Sequence, residues 1–196
     1  MRKSVDYDTY FDSMQLSKEQ KKKRKEFARR FERAVFFLFA LIQTMRDANR
    51  MINDYLLSQF VEQYKDVAKD FVDIDDYMED YIEQYCREVI DITLDNPDDE
   101  YYLSDDRAVS LSENEANASL NYKEYTDAIK SGKTKKRWIT EKDDKVRETH
   151  KMVDNKDIRI DRPFVVGDSL LQFPKDTSLG ASMEEIANCR CTIEYF

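Results

Sequence analysis

Phe27–Ile42 reads FARRFERAVFFLFALI, and Phe27, Phe31, Val35, Leu38, Phe39 and Ile42 recur in it at steps of three and four. That spacing puts six apolar side chains on one face of an α-helix whose remaining surface is basic, so the stretch is an amphipathic rod in need of a partner. Upstream, Ser17 and Gln20 have the form of a capping box, in which hydroxyl and amide each satisfy a free backbone N–H. The helix is expected to start there and run to about Asn49. Two further stripes follow at helical spacing: Ile52, Leu56, Phe60, Tyr64, Val67 and Phe71, then Tyr77, Tyr81, Tyr85, Val89 and Ile92. Three such rods bury their aromatic stripes against one another as an antiparallel hairpin or bundle. Asn96-Pro97 should end the third, because proline disfavours helical geometry in the residue before it.

Beyond the bundle, Asp95–Asp106 (DNPDDEYYLSDD) reads as an acidic loop, and Ser112 with Glu115 as a second capping box opening a helix to about Lys130, stopped by Gly132. After Gly132 the texture changes to short pieces: KKRWIT, DDKVRETHKMV, IRIDRPFVV, LLQF, a short helix from Ser182 with Glu185 as its box partner, and CRCTIEYF. In the last piece Cys189, Cys191, Ile193 and Tyr195 alternate with Arg190, Thr192 and Glu194, the period of a strand with one buried face. The expected plan is an N-terminal arm over residues 1–16, a helical hairpin or bundle over 17–95, an acidic linker over 96–109 and a small α+β domain over 110–196. The fold class is α+β, predominantly α. Three glycines and three prolines in 196 residues fit that class better than a many-stranded sandwich.

Charge is distributed in blocks. The formal net charge of -9 hides a basic run at Lys18, Lys21, Lys22, Lys23, Arg24, Lys25, Arg29, Arg30 and Arg33, and a smaller one at Lys130, Lys133, Lys135, Lys136 and Arg137. Between them lies an acidic belt from Asp66 to Asp106. Each block is either a solvated helix face or a contact surface, for DNA phosphates on Lys21, Lys22, Lys23, Arg24, Lys25, Lys135, Lys136 and Arg137, and for a basic protein surface on the belt. Three cysteines, Cys86, Cys189 and Cys191, make no disulfide framework and suit a reducing compartment. The opening MRKSVDYDTYFDS lacks the apolar core of a signal peptide, and Val35–Ile42 falls well short of the ~20 residues that cross a bilayer. No membrane association is expected.

If Asp143–Met152 is helical, Asp143, Arg147 and His150 share one face, and Cys189 and Cys191 share one face of a strand. Two readings are open. His150, Cys189, Cys191 and Asp143 can together hold a structural zinc ion, since zinc accepts thiolate, imidazole and carboxylate. Alternatively the thiols are small core residues, His150 is a hydrogen-bonded core histidine, and Asp143 and Arg147 form an i,i+4 pair. Arg190, pointing away from the thiols, is then available to Asp143 or Asp144. Cys-x-Cys lacks the usual Cys-x-x-Cys spacing of zinc loops. With His150 as the only histidine, a two-histidine metal nuclease cannot be built, and the isolated glycines form no phosphate loop. Catalytic residues are not expected, and Trp138 reads as the core anchor of the small domain.

Trp138, Thr140, Asp143, Val146, Arg147, His150, the turn Asp154-Asn155, Phe164, Pro174 and the terminal Asn188-Cys189-Arg190-Cys191 together resemble the phage Mu F-like minor head protein (head morphogenesis) family. The resemblance covers Lys135 to Phe196 and, more loosely, the preceding helix with Glu113, Asn117 and Asn121. It implies a non-enzymatic, low-copy protein of the capsid interior, assembled near the portal in the host cytoplasm and carried in the virion head. Implied partners are the portal protein, the major capsid or scaffolding protein, and packaged double-stranded DNA. The family usually has Asp-Gly where this chain has Asp154-Asn155, a turn that asparagine tolerates nearly as well. The helical part is also short for the family. Rival classes are a prophage DNA-binding or regulatory protein and a zinc-dependent hydrolase or toxin domain.

Overall fold

The Ser17–Gln20 box closes reciprocally, with the Gln20 N–H donating to Ser17 Oγ at 3.2 Å and the Ser17 N–H to Gln20 Oε1 at 3.0 Å. The long helix α2 (Lys18–Asp47) starts on it. The computed structural model describes residues 7–48 and 53–196. Asn49, Ile52 and residues 1–6 of the expected arm lie outside the described residues. Before α2 comes α1 (Tyr7–Asp12); after it come α3 (Asn53–Ala68), α4 (Asp76–Asp95), a 3-10 turn (Glu100–Leu103) and α5 (Asp105–Lys130). The remainder is β1 (Lys135–Ile139), α6 (Glu148–Lys151), β2 (Asp157–Arg159), β3 (Phe164–Val166), β4 (Ser169–Leu171), α7 (Met183–Ile186) and β5 (Thr192–Tyr195). Helix takes 59% of the chain and strand 10%, which makes the fold predominantly α within the α+β class. Among the described residues no helix is long and apolar enough to cross a membrane.

The chain divides into two compact units, one of Glu26–Glu115, the other of residues 7–25 with Ala116–Phe196. These limits differ from the expected 17–95, 96–109 and 110–196, and the acidic linker shows why. Asp99 caps the 3-10 turn by accepting from the Tyr101 N–H at 2.9 Å. Ser104, not Ser112, then starts α5, its Oγ accepting from the Arg107 N–H at 3.1 Å. Ser112 is buried inside the helix with its hydroxyl turned back to the Ala108 carbonyl at 2.7 Å, the back-bonding open to serine in mid-helix. Residues 7–14 are no loose arm either, since Tyr7, Phe11 and Met14 are buried.

In the first unit Phe27, Phe31, Val35, Leu38 and Ile42 of α2 are fully buried. Phe31 meets Tyr64 edge-on at 4.6 Å, and Phe60 lies 6.0 Å away. The stripe on α4 is rotated from the one expected: Met78, Ile82, Cys86, Val89, Ile90 and Thr93 face inward, while Tyr77, Tyr81 and Tyr85 are half-buried and Ile92 is exposed. From this flank Tyr81 keeps its ring against the stripe and its hydroxyl on a polar partner. Tyr81 Oη donates to Glu115 Oε2 at 3.0 Å, and Tyr64 Oη donates to the same buried carboxylate at 2.7 Å. Glu115 therefore serves two phenols instead of the capping role its spacing suggested.

In the second unit Arg24 is fully buried. Its Nε donates to Asn117 Oδ1 at 3.1 Å and its Nη2 to Asn121 Oδ1 at 2.9 Å, while Nη1 and Nη2 grip Glu124 at 2.8 and 3.1 Å. Asn117 passes its Nδ2 to Tyr10 Oη at 3.2 Å, and Asn121 passes its own to the Pro174 carbonyl at 3.1 Å. Gly132, at φ +75, ends α5 with paired bonds from the Gly132 N–H to Ile129 O and the Lys133 N–H to Ala128 O, each 3.0 Å, satisfying carbonyls a helix end leaves free. The chain then enters a three-stranded antiparallel sheet ordered β2-β1-β5, with Trp138 opposite Ile193, and a separate β3-β4 hairpin.

Strand alternation turns Lys136 inward beside Trp138, contrary to the expected surface role of this basic run. Lys136 Nζ donates to the carbonyl and Oε1 of Gln172, both at 2.7 Å, and burial lowers its pKa to about 8. Of the other proposed phosphate contacts, Arg24 is buried and Lys21 Nζ donates to Asp12 O. Lys23 pairs with Glu19, Lys25 with Asp8 and Asp12, and Arg137 with Asp157 and Glu194. Lys22 and Lys135 are exposed.

Two consequences can be measured. Arg24→Ala strands two amides and a carboxylate, so urea unfolding should show a loss of about 3 kcal/mol or more; Arg24→Lys should recover little, because an ammonium cannot span three acceptors. Half-buried Glu113 has its pKa raised to about 7 by burial. A carboxyl whose folded pKa lies above its unfolded value loses stability as pH rises from about 4.5 to 7. Glu113→Gln should therefore raise the melting temperature at pH 8 and leave it unchanged at pH 4.

Candidate metal centre

The sequence between β1 and α6 is a turn where a helix was expected. Asp143 Oδ1 accepts from the Lys145 N–H at 3.1 Å, Lys142 sits at φ 57, and helical geometry begins only at Glu148, with Arg147 extended as its N-cap. A short acidic side chain that bonds its own backbone competes with helix, which is why the pattern over Asp143–Met152 misled. Asp143 and Arg147 thus form no i,i+4 pair. Asp143 takes Arg190 Nη2 on both oxygens, at 2.8 and 2.7 Å, and that hydrogen bond holds its carboxyl below the usual range. Arg147 donates from Nη2 to the Ala187 carbonyl at 2.5 Å.

α6 delivers His150, 2% exposed, to the buried face of β1. Trp138 meets its ring edge-on at 5.6 Å, and Phe164 lies 5.2 Å from Trp138 on another side. Cys189 and Cys191 reach the same place from the run that leads into β5, with Asn188 at φ 52 setting its direction. The strand itself begins only at Thr192, but the alternation holds, with Cys189 and Cys191 2% and 3% exposed. Cys191 Sγ lies 3.3 Å and Cys189 Sγ 3.6 Å from His150 Nδ1, and the three candidate ligand atoms fall within 4.8 Å of one another. Three of the four sequence candidates for metal binding come together; Asp143, committed to Arg190, does not join them.

A residue without a site role in the sequence reading completes the arrangement. The box expected at Ser182 does not close, since the Ser182 N–H donates to Ser169 Oγ at 3.0 Å and Glu185 offers Ser182 only its backbone N–H. Its Oε2 instead lies 3.0 Å from His150 Nε2 and accepts from Thr149 Oγ1 at 2.8 Å. Gly167, at φ +57 in the β3-β4 turn, makes room for this carboxylate, since a methyl group there would run into Glu185 and Thr149. The only sequence signal was an acid four residues before Cys189. His150 is thus held on both nitrogens, by sulfur at Nδ1 and by carboxylate at Nε2.

The electrostatics favour charge separation. Hydrogen bonding with Cys191, and then with His150, holds the Cys189 thiol well below its ordinary pKa against the opposing effect of burial. The same bond to Cys189, together with burial, pushes Cys191 up. Burial opposes the charged form of His150, but the Cys189 bond and the Cys189 and Glu185 charges outweigh it, and its pKa is raised. The Trp138 indole N–H has no hydrogen-bond partner of ordinary geometry and favours the thiolate form of Cys191. Thiol, imidazole and carboxylate stand in the order of a nucleophilic triad. The adjoining cleft, bordered by Glu141, Lys145, Arg147, Arg190 and the cluster itself, encloses about 20 Å³, room for one water or ion.

Searches against known protein families, curated proteins and solved structures returned no match to this chain.

The Gly167 contact makes a clean test, because the single histidine gives unambiguous imidazole signals in nitrogen NMR. Gly167→Ala should destabilise the fold by about 1 kcal/mol or more, since alanine resists positive φ. It should also shift the His150 Nε2 resonance as Glu185 is displaced. An unchanged Nε2 signal would mean that Glu185 is not held through Gly167.

Proposed function

We propose that the protein is a minor head protein of a tailed bacteriophage or prophage, of the Mu F-like kind, acting by binding during procapsid assembly near the portal. The observation that supports this is the convergence of the residues carrying the resemblance. Trp138 packs on His150 and Phe164, His150 on Cys189 and Cys191, and Asp143 on Arg190. Asn117 and Asn121 hold Arg24, and Asn121 reaches the Pro174 carbonyl. Asp154 accepts from the Thr140 N–H at 2.9 Å, and Asn155, at φ 58, donates its N–H to the Trp138 carbonyl at 2.8 Å. Asparagine thus fills the left-handed position that glycine takes in the family pattern.

Partners in this reading are the portal protein and the major capsid or scaffolding protein, with packaged duplex DNA as a further contact, inside the virion head. For a basic partner surface, the acidic belt offers exposed carboxylates at Asp76, Asp80, Glu88, Asp91 and Asp98. Burial of Arg24 and Lys136, two of the eight residues expected to touch phosphates, weakens any DNA contact, with packaged DNA as much as for the rival of a free DNA-binding protein. Binding by charge of that kind is lost steeply as salt rises.

Co-expression with the portal, coat and scaffolding proteins of the same genome tests the assignment. The protein should co-purify with one of them and enter procapsids, and reversing Asp80 and Asp91 to Lys should reduce capture at least tenfold. Failure to associate with any of the three, with salt-sensitive binding to duplex DNA alone, would replace this reading by the DNA-binding one.

A further inference from the structure

We propose that His150 Nδ1, Cys189 Sγ and Cys191 Sγ ligate a zinc ion, with Glu185 orienting His150 from behind and a solvent molecule in the fourth position, on the cleft side. The inference stands apart from the assignment to a phage head and does not depend on it.

Geometry comes first. Zinc–sulfur and zinc–nitrogen bonds of about 2.3 and 2.0 Å in a tetrahedron place neighbouring ligand atoms roughly 3.5 Å apart. The structure has 3.3 and 3.6 Å from Nδ1 to the two sulfurs. Hydrogen bonding alone explains this less well, because Nδ1 carries at most one proton and faces two sulfurs. All three side chains are at least 97% buried, so neither thiol can turn to bulk water for a partner. The Trp138 indole N–H, buried and without a hydrogen-bond partner among the described residues, belongs to the ring that meets His150 edge-on at 5.6 Å.

The donor set selects the metal. Two thiolates and an imidazole suit zinc and exclude magnesium and calcium, which take oxygen. The second sphere is in place as well, since a metal-bound histidine nearly always gives its other ring N–H to a carboxylate or carbonyl, and Glu185 accepts at Nε2. Binding takes the proton from each thiol and leaves a zinc dithiolate with no net charge, which lowers the desolvation cost of burial. Asp143 lies outside the cluster of ligand atoms, on Arg190, and so is not the fourth ligand. The cleft borders His150 and both cysteines and has room for one water, which assigns the open position to solvent.

The test uses the full chain, stripped with chelator and titrated with cobalt(II), which reports coordination by its colour. One equivalent should bind with a sulfur-to-cobalt charge-transfer band and the strong visible bands of four-coordinate cobalt, and zinc should bleach both. Cys189→Ser and Cys191→Ser should each roughly halve the charge-transfer band. Glu185→Gln should keep the bands but weaken zinc binding by about 10- to 100-fold. Azide should shift the visible bands by replacing solvent. A folded wild-type chain, checked by circular dichroism, that shows no charge-transfer band would overturn the site. Bands that ignore azide would overturn the open fourth position and point to Glu141, the carboxylate on the cleft.

Discussion

A guanidinium shut away from water has to be met on every side, and in the second unit Arg24 is met by three side chains of one helix. The stabilisation from such a group is small next to its demand on geometry, because any partner out of place leaves a buried charge or amide unmatched. Asn117, Asn121 and Glu124 are spaced three and four apart on α5, so a single helical face answers the whole fork. The two asparagines then spend their remaining N–H groups on Tyr10 and on the Pro174 carbonyl. That second bond holds the segment from which the chain goes on to Lys175, bonded to the Ile186 carbonyl, and to α7 with Glu185. The position of the carboxylate behind His150 thus descends through a short series of hydrogen bonds from Arg24.

The His150 cluster shows how a small α+β unit with short strands obtains a rigid centre. No strand exceeds five residues, among the described residues, and none carries enough apolar surface to be stable by itself. Trp138 is its largest fully buried side chain, and two thiols and a carboxylate beside it are directed at one imidazole. Such a centre is specified by direction more than by volume: a hydrophobic residue of similar size in place of His150 would fill the space and lose both the sulfur and the carboxylate contacts.

Much of this was legible in the sequence, and the failures share a cause. The stripes on α2 and α3 and the reciprocal Ser17–Gln20 box could be read directly, because period and local hydrogen bonding both act within a few residues. So could the turn at Gly132, whereas the meeting of His150 with Cys189 and Cys191 was one of two open readings and rested on a helix over Asp143–Met152 of which only Glu148–Lys151 forms. What sequence period could not reveal was which of two equivalent local choices the tertiary structure would select. Ser112 looks like a cap by its spacing to Glu115, but it is buried in mid-helix and Ser104 starts α5 instead. On α4 the tyrosines and the aliphatic residues one position along offer rival stripes, and the aliphatic one is buried while Tyr81 turns its hydroxyl to Glu115. Lys136 reads as surface by type and as core by strand alternation, and alternation wins. Glu185 looked like a local cap because its actual partner is 35 residues away.

The second unit is closed by chain that lies on both sides of the first, and that order matters while the protein is being made. Arg24 leaves the ribosome 93 residues before Asn117. At ordinary elongation rates of about 5–20 residues per second, the basic start of α2 waits roughly 5–20 s for its acceptors. Most of Glu26–Glu115 is made within the same interval, since Glu115 precedes Asn117 by only two residues. Throughout that interval Arg24 is a guanidinium whose acceptors have yet to be made, while Lys21, Lys23 and Lys25 already have Asp12, Glu19 and Asp8 upstream of them.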